Sequence, residues 1–344
     1  MRHINIPVFI PHLGCPNQCI FCNQRYISGT MEFSELDVKN TIERVLDTVD
    51  DNCKCEIAFF GGSFTGIDKG LMIRLLDLAQ GYVNSGKAVG IRMSTRPDYI
   101  SEEIISILKN YTVTFVELGI QSMNDFVLNY LKRGHTSDDT RNAALLLKNN
   151  NIPFVGQMMI GLPSATLEDE LYCAEQICKL GACAARIYPT LVFKMTELEG
   201  LTVNGEYSPL SLDEAVERSA KVLDAFNRNH VECIRIGLCD SDNLHSSDTF
   251  VAGPNAPSIG EMVKSRLYYN KLVNAIEDLK TKSQIDTVTI YCEKNIVSQI
   301  IGHKRSNIDK LKKKFGLKRI FIKESSSIKD TKNKFEVKGE NSCV

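Results

Sequence analysis

Cys15, Cys19 and Cys22 fall within eight positions of one another, in the pattern Cys-x3-Cys-x2-Cys. Thiolates are strong ligands for soft metals, and three at this spacing can meet at one centre. Zinc in a structural site takes four protein ligands, and no fourth lies close by in the sequence. A cubane iron–sulfur cluster also needs four ligands, but it can leave one iron open to an incoming molecule. Phe21, just before the last cysteine, is placed to shield one side of such a cluster. A zinc knuckle, or three unrelated thiols, remains the plainer alternative. The other cysteines among the twelve say less. Cys53 and Cys55 are neighbouring thiols ahead of a strand. Cys173, Cys178 and Cys183 are spaced by five, which does not put them on one helix face. Core packing accounts for these, with a second cluster as the alternative.

The elements around the cysteines supply the frame. Short β-rich runs at 5–11, 56–60, 89–94, 113–118, 154–160 and 184–189 alternate with helical patterns. The helices are expected near 34–50, 68–85, 101–110, 138–150, 166–180 and 211–229, several opening on a Ser followed by acidic residues. Six βα units in series predict an α/β fold with a parallel sheet, either open or an incomplete (β/α)6 barrel. Residues 1–237 then form the main unit. Residues 238–282 make an irregular segment and a helical extension, and 283–344 a small α+β module. The cysteine loop follows the first strand directly, at the edge where (β/α) barrels assemble their active sites.

Further motifs fall after successive strands: GGSFTG (61–66), STRPD (94–98), ELGIQS (117–122), KRGH (132–135), GLPS (161–164) and IYPTLV (187–192). With Cys-x3-Cys-x-aromatic-Cys, this series resembles the radical S-adenosylmethionine (SAM) superfamily. Over roughly residues 5–270 it is most similar to the radical domain of the Elongator catalytic subunit. The resemblance implies a [4Fe-4S] cluster on Cys15, Cys19 and Cys22 whose open iron chelates SAM. An electron then breaks the S–C5′ bond and gives a 5′-deoxyadenosyl radical. It also implies cofactor contacts from the backbone of Gly61, Gly62 and Ser63, from Ser94 and Arg96, and from Gln121, Arg133 and Gln157. His135 is expected as a neighbour of the site. Read as bare residues, Gly61-Gly62 is equally a tight turn, Ser94–Arg96 a turn before Pro97, and Arg133 a solvated side chain. A low-potential donor such as a flavodoxin or ferredoxin is the expected electron source.

The net charge of −1 conceals an asymmetry. Residues 283–334 contain 13 Lys and Arg against 5 Asp and Glu, whereas residues 1–282 carry 27 against 35. A basic module on an acidic body points to an anionic partner. Its strand–helix–turn–helix–strand order, with Gly302-His303-Lys304-Arg305 between the helices, resembles a KH domain, whose Gly-x-x-Gly loop clamps nucleotide backbone. Arg305 stands where the second glycine is usual. Gly302, His303, Lys304, Arg305, Lys312 and Lys313 are the expected nucleic-acid contacts, with a solvated lysine-rich helix as the alternative. The leading expectation is therefore a radical enzyme acting on RNA, with transfer RNA as the candidate. The alternatives are a small-molecule substrate, or an RNA-binding protein with a structural or redox-sensing cluster. No apolar run is long enough to span a membrane. No signal-peptide pattern is present, so the cytoplasm is the expected location.

Overall fold

The computed structural model describes residues 3–10, 13–15, 19–23, 33–50, 52–238, 246–328 and 333–340. Strands β1 (His3–Phe9), β2 (Lys54–Phe60), β3 (Gly90–Thr95), β4 (Val113–Gln121), β5 (Phe154–Ile160) and β6 (Ala184–Pro189) lie side by side in chain order. All pair in parallel. A short antiparallel pair, β7 (Val192–Phe193) with β9 (Phe250–Ala252), stands apart. The sheet gains a seventh strand, β8 (Glu232–Ile236), beside β6. One more strand than the sequence led us to expect thus extends the open barrel.

Parallel neighbours need a crossover, and helices supply it. In chain order these are α1 (Glu35–Leu46), α2 (Lys69–Asn84), α3 (Glu102–Leu108), α4 (Asp125–Tyr130), α5 (Ser137–Asn149), α6 (Leu167–Lys179), α7 (Glu197–Val203) and α8 (Leu212–Arg228). Reciprocal capping boxes start three of them: Thr136 with Asp139, Thr166 with Asp169, and Ser211 with Glu214. Each satisfies two orphan backbone groups and fixes where the helix begins.

Side chains along β2 alternate, so Cys55, Ile57 and Phe59 join the core under the helices while Glu56 turns to the inner face. That inner face carries a continuous ionic ladder. His3 meets Glu56 (3.0 Å), Glu56 meets Arg92 (2.9 Å), Arg92 meets Glu117 (3.1 Å), and Glu117 meets Arg186 (2.6 Å). Arg186 then donates to the Tyr188 hydroxyl at 3.1 Å. The contact from β4 to β6 passes over β5, which requires the sheet to curl inward.

Helix α9 (Ile259–Lys280) joins this body to the C-terminal module. Its Ile259, Val263 and Leu267 belong to the main core, and its Leu272, Val273 and Ile276 to a second core. That second core lies under a three-stranded sheet in the order β11 (Arg319–Glu324), β10 (Thr287–Cys292), β12 (Phe335–Glu340). Helices α10 (Val297–Ile301) and α11 (Ser306–Phe315) connect β10 to its parallel neighbour β11. Much of the polar stretch expected to be irregular, 239–245, lies outside the described residues.

Candidate active site

The cysteine loop is held at its flanks. Ile20 donates its backbone N–H to Leu131 and accepts from Leu198, and Asn23 reaches the Lys194 carbonyl. The buried Ile20 side chain packs with Leu131, Leu162, Val192 and Leu198. Within the loop the Cys22 N–H donates to the Cys19 carbonyl. Cys19 is buried, whereas Cys15 and Cys22 are half-buried.

Two glycines let this loop press against the turn after β2. A Cβ on Gly14, whose φ is +72°, would sit 2.2 Å from the Ser63 carbonyl oxygen. One on Gly62 would meet the carbonyl oxygens of Leu13 and Ile10 at 2.5 and 2.7 Å. Backbone-to-backbone approach this close excludes any side chain. It brings Ser63 Oγ to 3.4 Å from Cys15 Sγ. Gly61 precedes them in a left-handed conformation.

The next strand ends complete the same edge. Ser94 Oγ lies 3.4 Å from the carbonyl oxygens of both Phe59 and Gly62. Arg96, almost fully buried, grips Asp98 with two hydrogen bonds and lies over the Tyr99 ring. Gln121 ends β4 with φ +66°, a strained value for a residue with a side chain. Arg133 reaches back from the turn after α4, donating to the Gly119 carbonyl at 2.7 Å and lying 3.3 Å from Cys19 Sγ. His135 is buried beside it, and burial, with the Arg133 charge second, pushes its pKa down to about 4. Gln157 is half-buried on β5, in register with Gly119 on one side and Arg186 on the other. The ends of β1 to β4 thus gather Cys15, Cys19, Gly61, Gly62, Ser63, Ser94, Arg96, Gln121 and Arg133. Gly302 to Arg305 are not among them; the adjoining Asn307 bonds to Ser265 of α9.

Several polar atoms at this edge are buried with no hydrogen-bond partner among the described residues: Arg96 Nη1, Gln121 Oε1 and Arg133 Nε. His135 lies against the Ile120 backbone without a well-formed hydrogen bond from either ring nitrogen. Each orphaned buried group costs about 1–3 kcal/mol, and a polar ligand bound beside Cys15 and Cys19 would supply the missing partners. Among the described residues no three His, Cys, Asp or Glu side chains close around a single ion. A cubane does not require that, since its ligands attach to different irons. The donor set fits a cluster with a polar cofactor beside it.

Residues 9–175 match the family model of the radical SAM superfamily, and residues 183–269 match that of the radical SAM C-terminal domain. The chain belongs to the radical SAM superfamily. It is therefore an enzyme of a family that works with a [4Fe-4S] cluster and SAM. This radical SAM enzyme is 30% identical over 202 residues to the tRNA uridine(34) acetyltransferase of Methanocaldococcus jannaschii, covering 53% of this chain and 37% of that protein. It is 34% identical over 140 residues to Elongator complex protein 3 of Dictyostelium discoideum, covering 40% of this chain and 25% of the relative. The chain thus spans well under half the length of these two relatives. The structure of archaeal Methanocaldococcus infernus Elp3 superposes with a TM-score of 0.62 at 23% identity, over 78% of this chain and 63% of that one. That likeness shows the shared fold.

The inner-face ladder was not anticipated from the sequence. Its signal was present, since Glu56, Arg92, Glu117 and Arg186 are charges inside otherwise apolar strands.

Proposed function

We propose that this enzyme holds its cluster on Cys15, Cys19 and Cys22, cleaves SAM reductively, and directs the resulting radical at RNA, with transfer RNA the substrate class. A [4Fe-4S] cluster held there would supply the electron for reductive cleavage of the S–C5′ bond of SAM, to methionine and a 5′-deoxyadenosyl radical. The protein's part is to bind and orient. Backbone groups of Gly61, Gly62 and Ser63 would meet the cofactor's amino group, because Gly62 lets this turn lie against the cysteine loop, beside Cys15. Ser94, Gln121 and Gln157 offer neutral hydrogen-bonding groups on the inner side of the edge, Arg133 adds a cation, and Arg96 is held in place by Asp98. The observation that carries the cofactor reading is the set of partnerless buried polar atoms beside the cysteine loop.

The RNA reading rests on the C-terminal module. In its Gly302-His303-Lys304-Arg305 loop, Lys304 and Arg305 both take left-handed conformations, with φ 49° and 63°. A Cβ on Gly302 would stand 2.8 Å from Asn307 Cγ, so the turn needs its glycine. Asn307 donates to Ser265 and Gln299, which ties the loop to α9. Next to Ser265, Arg266 pairs with Asp213 and Glu217 in the first turns of α8. Leu210, just ahead of α8, packs on Gly161 after β5. The basic KH-like loop is therefore tied to the end of the barrel that carries the site. Similarity to a protein named for tRNA uridine 34 supports the same substrate class. The reaction belongs in a reducing cytoplasm, where a flavodoxin or ferredoxin can supply the electron.

Filter binding with bulk tRNA tests the substrate. Replacing Lys304 and Arg305 by Glu is expected to weaken binding at least tenfold at low salt. Unchanged affinity would rule out this loop as the RNA contact, and a parent that binds no tRNA would leave the small-molecule alternative.

A further inference from the structure

Arg133 is a buried cation that no carboxylate of the protein answers among the described residues. It is 8% exposed, and no ion pair reaches it among the described residues. Among the described residues, the other buried or half-buried arginines of the body each have a carboxylate. Arg92 has Glu56 and Glu117, Arg96 has Asp98, Arg186 has Glu117, and Arg218 has Glu170. Arg133 has instead a backbone carbonyl on Nη2 and the Cys19 sulfur 3.3 Å from Nη1. A guanidinium cannot shed its charge, and burying it without an anion is strongly unfavourable. Besides the cofactor contact proposed above, the group it meets is the sulfur of Cys19, which would carry negative charge as a cluster ligand.

We propose that Arg133 is the counter-cation of the cluster, donating an N–H to the ligating sulfur of Cys19 and raising the cluster's reduction potential. Hydrogen bonds to the sulfurs and the local net charge are among the factors that set such potentials. One-electron reduction adds a negative charge to the cluster, and a fixed cation in contact with a ligating sulfur stabilises the reduced form more than the oxidised one. The electron comes from a low-potential flavodoxin- or ferredoxin-class donor, and no bond in the protein forms or breaks. Gly119 is part of the device, because its carbonyl holds the other arm of the guanidinium. A Cβ at Gly119 would come 3.0 Å from Arg133 Nη2, so a larger residue there would press on the guanidinium. The inference rests on Cys19 as a cluster ligand and is independent of the RNA substrate.

The test is a redox titration of the full chain, reconstituted anaerobically and followed by electron paramagnetic resonance, with iron and sulfide counted per chain. At the parent's midpoint, R133Q is expected to hold the same iron but to show a reduced-to-oxidised ratio about tenfold lower. That is a shift of about 59 mV for a one-electron couple. R133K, which keeps the charge, should recover most of it. An iron-loaded R133Q that titrates with the parent overturns the proposal. If R133Q cannot hold iron, R133K decides. Iron retained with a parental midpoint supports the charge role, and iron lost there too makes Arg133 a packing residue and ends the proposal. A C19A variant with parental iron and signal would sink the ligand assignment, and the proposal with it.

Discussion

His135 is nearly fully enclosed, and burial, more than the Arg133 charge beside it, keeps its ring neutral. Its folded pKa, about 4, lies below the ordinary 6.5, so between those values the unfolded chain binds a proton that the folded chain refuses. Its contribution is therefore complete above pH 6.5 and is lost as pH falls toward 4. Urea unfolding should show the parent losing about 1.4 kcal/mol per pH unit more steeply than H135N across that window. Parallel profiles for the two proteins would contradict this placement of the ring. Glu117 invites a sharper test. It is 1% exposed and accepts from both Arg92 and Arg186, so E117Q takes a carboxylate from each of two buried cations, although Arg92 keeps Glu56. A loss of about 3–5 kcal/mol in urea unfolding is expected, and a loss below 1 kcal/mol would show the ladder to be dispensable.

Helix α9 is the element on which the architecture turns, because its two halves serve different cores. It runs alongside α8, with Arg266 beside Asp213 and Glu217 and Lys271 beside Asp224. Asn270 sits between the halves and donates to Glu217. A proline there removes a backbone hydrogen bond and kinks the helix, at a cost of about 3 kcal/mol. Calorimetry of N270P is expected to resolve two transitions where the parent shows one; an undivided transition would mean the cores do not communicate through α9. Sequence patterning located β5 and β6 to the residue, since each is a run of largely apolar residues bounded by polar or turn-forming ones. Strand β8 escaped because its ECIRI stretch alternates charge with apolar residues on an exposed sheet edge, a pattern that a polar loop shares. Helices α4 and α7, of six and seven residues, are too short for a periodic stripe. The candidate site was legible as motifs because each lies on one short stretch of chain. The Arg133–Cys19 contact spans 114 positions, and the ladder unites five strands through curvature of the sheet. No local pattern encodes either.

Across the whole molecule, charge is divided between an acidic body and a basic module that α9 joins. If the module engages phosphate, tRNA affinity should fall linearly on a log–log plot against salt, and loss of the Lys304 and Arg305 contacts should reduce the slope by about 1.4. An unchanged slope would place the RNA contacts elsewhere. Production of the radical is the claim on which the remaining chemistry depends. The most direct measurement is 5′-deoxyadenosine released from SAM by anaerobically reconstituted protein under dithionite, for the parent and for C15A, C19A and C22A. The parent should release 5′-deoxyadenosine and each variant should fall to background. Iron-loaded parent that releases none, or a cysteine variant as active as the parent, would contradict the assignment.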